Sequence, residues 1–157
     1  SNSNLSEEVK QYLPLLKLRL PSNLDAWDGY PAERDRIFSL FKNNNSKLIS
    51  LAGDTHNAWF SKLFNNAEEH IGYEFGTPSV TSPGLSEYLN GVNPRELEQG
   101  IIKTNKEIKW VNTSHRGYTK IYLNESILKG TFKFIESVLE KSAEISFSKT
   151  FTIDPKS

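Results

Sequence analysis

The stretch KLISLAGDTHNAW, residues 47–59, decides how the rest of the chain is read. Residues 47–52 form an apolar run too short for a helix, and the run stops at Gly53-Asp54. It reads as a buried strand that ends in a tight turn. Asp54 and His56 stand two residues apart just beyond that end, at the edge where ligands gather in open α/β sheets. Gly53 would let the backbone turn and approach a ligand. Asp54 offers hard oxygens to a divalent or trivalent cation, and His56 offers a nitrogen to a metal or a proton to a phosphate oxygen. The local alternative is that Asp54 caps a helix beginning near Asn57 and that His56 is an ordinary loop residue.

Downstream, residues 57–64 read as a helix with Trp59, Phe60 and Leu63 inward, and residues 71–75 alternate like a strand. Residues 76–84 are rich in Gly, Pro, Ser and Thr, a loop whose hydroxyls and amides would shape a pocket wall or lie on the surface. A helix is predicted over residues 94–105, then strands over 108–111, 117–123, 131–134 and 144–148. In these, Phe132 with Phe134, and Ile145 with Phe147, each line one face. His115-Arg116-Gly117-Tyr118 sets a bidentate phosphate ligand beside an imidazole, or else is a strand-entry turn with an exposed arginine.

Upstream, Pro31 suits the first turn of a helix over residues 31–41, with Arg34, Ile37, Phe38 and Phe41 as its inward stripe. Asn23, Asp25, Asp28 and Tyr30 surround Trp27, as ligand groups or as turn and cap residues. Residues 5–20 read as an amphipathic helix broken near Pro14. The fold class is α/β: the early part mixes helices and strands and the late part is antiparallel β, within one domain of residues 1–157.

With 157 residues, 36% of them hydrophobic and 24% charged, the chain has the makeup of a soluble globular protein. Lys plus Arg and Asp plus Glu both count 19, so no global field favours nucleic acid or an anionic membrane, and an anionic ligand must be held locally. No nucleic-acid-binding surface or membrane-spanning stretch is evident. The lack of cysteine excludes disulfides and thiolate chemistry by this chain. Its first twenty residues lack the pattern of a secretion signal. No Met occurs, position 1 included, so we expect a portion of something longer. There is no G-x-S-x-G elbow, Walker loop, H-E-x-x-H or dinucleotide glycine fingerprint.

Four segments in order carry a more specific signal: AWDGYPAERDR (26–36), SLAGDTHNAW (50–59), YEFGTPSVTSPG (73–84) and HRGY (115–118). Together they resemble the C-terminal portion of the PhoD family of alkaline phosphatases and phosphodiesterases. The resemblance implies part of a metallophosphatase α/β sandwich that ends in antiparallel strands, and a phosphoester hydrolase using calcium and iron. It implies a phosphate ester substrate and an exported parent protein. By the same resemblance Asp54 and His56 are metal ligands, His56 and Arg116 act on the phosphate, and Asp28, Tyr30 and Asn57 lie near the site. The family's earlier Asp, Asn and Cys ligands have no counterpart here, which implies an incomplete centre in this fragment. An uncovered sheet edge near residues 47–52, open to self-association, is then expected.

Overall fold

A computed structural model of the chain describes residues 7–11, 25–141 and 144–154. Helix α1, Glu7–Lys10, is the described part of the helix expected over residues 5–20, and the rest of that expectation lies outside the described residues. A 3-10 turn at Trp27–Gly29 leads into α2, Pro31–Asn43, whose first position takes the proline. Then come β1 (Leu48–Ala52), β2 (Ala58–Phe64), β3 (His70–Gly76), the short α3 (Leu85–Tyr88) and α4 (Pro94–Thr104). The chain continues with β4 (Ile108–Asn112), β5 (Gly117–Leu123), β6 (Leu128–Ile135) and β7 (Ile145–Ile153). No described helix is long and apolar enough to cross a membrane.

The strands form two sheets, one of order β1-β3-β2-β4 and one of order β5-β6-β7. Only β1 and β3 pair parallel, so the fold is mixed α/β with two mostly antiparallel sheets. The expected helix over residues 57–64 is instead the inner strand β2. Trp59 and Phe60 point to opposite faces, Trp59 toward the α4 cluster of Val92, Leu97, Ile101 and Val111, and Phe60 toward the second sheet. A strand buried on both faces loses its two-residue alternation, and its apolar side chains then imitate a helical stripe. Asn65 turns this strand back into β3: its Oδ1 accepts from the backbone N–H of Ala67 at 3.0 Å and of Glu69 at 2.9 Å.

The core between the sheets is aromatic. Phe60 stacks on Phe151 with centroids 3.9 Å apart, Trp110 tilts on Phe132 at 5.0 Å, and Phe75 meets Phe132 at 5.9 Å. Phe132 and Phe134 are fully buried, as expected of their face. A Cβ on Gly130 would sit 2.0 Å from Phe75 Cε1, so only glycine lets that ring in. Each fully buried aromatic contributes about 1.5–3 kcal/mol by area.

Helix α4 presents Leu97 and Ile101, four residues apart, to the other face of the first sheet. Its start is fixed by Asn93, whose side chain accepts from Arg95 N and Glu96 N. Strand β1 is an edge strand, as the sequence reading expected, yet it is not buried: Leu51 is 62% exposed. An apolar run of five residues is the same string in an edge strand and in a central one.

Candidate functional site

The register gathers the functional segments at one rim. Ala52 at the end of β1 lies beside Gly76 at the end of β3, and Ala58 at the start of β2 lies opposite Asn112 at the end of β4. Loops 53–57, 77–84 and 113–116 therefore leave the first sheet along a shared edge. Backbone hydrogen bonds tie them further: Thr77 N to Ala52 O at 2.8 Å and Gly117 N to Ser79 O at 3.0 Å. A side-chain bond from Thr119 Oγ1 to Thr77 Oγ1, 3.0 Å, brings in the second sheet.

Within loop 53–57, Asp54 and His56 both adopt left-handed backbone, with φ of 69° and 61°. Two such residues, neither of them glycine, are strain of the kind that clusters at functional sites. The tight turn expected of Gly53 is made by its neighbours: Thr55 N donates to Gly53 O at 2.8 Å, and a Cβ on Gly53 would meet only Thr77 Cγ2 at an ordinary 3.8 Å. No helix follows for Asp54 to cap, since β2 begins at Ala58.

The His56 ring is oriented by a carbonyl. Its Nδ1 lies 3.1 Å from Pro83 O, and a carbonyl only accepts, so Nδ1 carries the proton and Nε2 is the lone-pair nitrogen of the neutral ring. That is how imidazoles are aimed at metals, one nitrogen held by a backbone oxygen and the other free to ligate. Asn57 is a buried clasp: Nδ2 donates to Thr55 O at 2.5 Å, and Oδ1 accepts Leu85 N at 2.8 Å. Gly84 completes the junction, because a Cβ there would come within 2.2 Å of Thr113 O.

Arg116 is 10% exposed and forked onto both carboxylate oxygens of Glu87, while Nη1 also donates to Ser114 O at 2.8 Å. The guanidinium holds the Glu87 carboxyl below the usual carboxylate range. Glu87 carried no signal in the sequence, since its partner lies 29 residues away. These two residues line a pocket with His115 and Ser137. Asn112 holds His115 from both ends: its Oδ1 accepts His115 N at 2.9 Å, and its Nδ2 lies 3.1 Å from the ring Nδ1. Burial, with Arg116 adding, pushes this imidazole below its ordinary value. Behind it, Glu98 on α4 accepts Thr113 N at 2.8 Å and Thr113 Oγ1 at 3.1 Å, and burial pushes its carboxyl up against those donors.

Asp28 and Tyr30 stand just ahead of α2. Asp28 is exposed and paired with Arg34 Nη1 at 2.6 Å, and Tyr30, half exposed, heads α2 by accepting Arg34 N at 3.0 Å. Asp28 still reaches the first sheet electrostatically. Glu74, mid-strand in β3 and 3.3 Å from Ser50 Oγ, is raised by burial and additionally by the Asp28 charge.

Asp54 oxygens and His56 Nε2 fit two donors of a metal site, one hard and one borderline. Among the described residues no three His, Asp or Glu side chains cluster as a ligand set.

The PhoD-like phosphatase family model matches residues 2–132. Alkaline phosphatase D of Bacillus subtilis (strain 168) is 33% identical over 134 residues, which cover 82% of this chain and 22% of that protein. The chain thus spans about a fifth of the curated relative it matches. No solved structure matches. The family model covers most of the chain, including the left-handed Asp54 and His56 and the fork on Arg116, and the chain belongs to the PhoD-like phosphatase family.

Proposed function

We propose that this chain forms the C-terminal part of a phosphoester hydrolase domain and supplies one side of its metal-dependent active site. The observation that carries the reading is His56, strained at φ 61° with its ring held by Nδ1 on a backbone carbonyl, two residues from the exposed Asp54. Asp54 and His56 would hold the metal, which by family is calcium and iron, and when bound it supplies Lewis-acid polarisation of the phosphoryl oxygens. Pro83 fixes the tautomer of His56. Asn57 and Gly84 keep loops 53–57 and 77–84 in contact. Glu87 holds the Arg116 fork rigid, and a phosphate oxyanion would compete with Glu87 for it. By family resemblance Asp28 and Tyr30, just ahead of α2, would be groups near the site rather than ligands. The substrate is a phosphate mono- or diester, and the parent protein is exported.

The remaining ligands would come from the family's earlier segments, and the edge of β1, unpaired among the described residues and with Leu51 exposed, is where such segments or a second copy would add a strand. A non-catalytic module is the second reading, favoured by the lack of a three-residue ligand cluster among the described residues.

Hydrolysis of p-nitrophenyl phosphate and its bis-ester, with calcium, iron, manganese or zinc, tests this. The partial-site reading expects no turnover by the chain alone, turnover when the family's earlier segments are joined to it, and loss of that turnover in Asp54→Ala. Joined protein that stays inactive with every metal would establish the non-catalytic module. Turnover indifferent to Asp54→Ala would remove Asp54 from the site.

A further inference from the structure

The three-stranded sheet has two unlike faces. The inner one carries Phe132 and Phe134 into the core. On the other, the register sets Tyr118 opposite Lys133, Lys120 opposite Thr131 and Tyr122 opposite Lys129. Across β6 to β7, Lys133 faces Ser148, Thr131 faces Thr150 and Lys129 faces Thr152. Residues two apart share a face, so this surface is a grid: Tyr-Lys-Tyr on β5, Lys-Thr-Lys on β6 and a column of hydroxyls on β7. No Asp or Glu occurs on any of the three strands. The lysines therefore have no opposite charge on their own sheet.

Tyr118 is 48% exposed and Tyr122 53%, so neither ring is spent on the core. Asn124 Nδ2 donates to the Tyr122 hydroxyl at 3.2 Å at one end of the grid, and Thr131 and Thr150 are joined through their hydroxyls at 2.9 Å in its middle. A neutral total charge conceals this patch, because it says nothing of which face of the β5-β6 hairpin Lys120, Lys129 and Lys133 share.

We propose that the outer face of β5-β6-β7 is a platform for single-stranded nucleic acid, with Tyr118 and Tyr122 stacking bases and Lys120, Lys129 and Lys133 neutralising phosphates. Four residues of strand separate the two rings by about 13 Å, which leaves Lys120 between two stacking positions. Aromatic stacking combined with a basic surface is the physics of sequence-tolerant single-strand binding. A flat sheet face does not enter a duplex groove, which takes a helix or a two-stranded ribbon. A polyanion without bases would use the lysines and leave the tyrosines idle. Strand β5 touches loop 77–84 through Gly117 N and Thr119 Oγ1 rather than through the side chains of this grid, and the proposal stands independently of the hydrolytic reading.

The test is fluorescence anisotropy of a labelled oligothymidine of about 20 nucleotides with the 157-residue chain, with inorganic polyphosphate and a DNA duplex as competitors. Three neutralised phosphates give an affinity that falls about twentyfold from 50 to 200 mM salt. Lys129→Glu with Lys133→Glu abolishes binding, and the milder Lys→Gln pair weakens it. Tyr118→Ala with Tyr122→Ala weakens it about tenfold or more, whereas the paired Phe substitutions retain it. Circular dichroism checks that each variant is folded. The proposal is overturned by absence of binding at low salt, by an alanine pair that binds like the parent chain, or by duplex or polyphosphate competing as well as the single strand.

Discussion

Between the sheets, Phe60, Phe75, Phe132 and Phe134 exclude water by area and need no particular partner. At the rim, His56, Asn57, Thr113 and Arg116 each depend on particular named donors or acceptors. The first kind of contact is non-directional and tolerates swaps of similar volume. The second fails when a single atom is removed, because a buried polar group is then left unsatisfied. Stability and chemistry are thereby assigned to different parts of the molecule. Variants chosen from each part can break that division.

The largest effect is expected in the core. Phe132 is fully buried and touches Phe75, Trp110 and Phe151. Phe132→Ala should cost about 3–5 kcal/mol, read as a lower urea midpoint at an unchanged denaturant slope. A loss below about 1 kcal/mol would mean that the aromatic layer is not where the fold is held.

Next comes the clasp. Asn57→Ala removes the acceptor of Leu85 N and the donor to Thr55 O, with an expected cost of about 1–3 kcal/mol. Unlike the core change, this one should act locally: the Leu85 amide should lose hydrogen-exchange protection before the strands do. Equal loss everywhere would place Asn57 with the core rather than the rim.

The same contrast explains what could be read in the sequence. Helices over Pro31–Asn43 and Pro94–Thr104 and the strands of the second sheet were legible, because Pro31 at N1 and alternating Phe132 and Phe134 are local signals. Strand β2 was not, since burial on both faces by Trp59 and Phe60 erased its period. The Asp54 and His56 loop was legible as a place in the chain, at the end of a strand. Its strain was not, and the turn had been given to Gly53. The arrangement around Arg116 depends on Glu87, 29 residues upstream, and the hold on Thr113 depends on Glu98 in a helix. Such pairings are decided by the fold alone.

The smallest effect bears most directly on the division between core and rim. Asp54 sits at φ 69°, a region that costs most residues about 1–2 kcal/mol, Asp somewhat less, and glycine almost nothing. Asp54→Gly should therefore leave the chain as stable as before or more stable by up to about 1 kcal/mol, glycine's larger unfolded-state entropy offsetting part of the relief. Asp54→Asn should be near neutral, since Asn also tolerates this backbone, and Asp54→Ala should be the least stable of the three. All three remove the charged carboxylate, so any metal-dependent activity is lost whichever way stability moves. Urea denaturation of the series without metal is the measurement. An order with glycine on top means that the carboxylate is kept at the rim at the expense of the fold, as expected of a group retained for chemistry. A glycine variant less stable than the parent would mean that the Asp54 side chain is part of what holds loop 53–57 together, and the rim would then be structural in the same sense as the core.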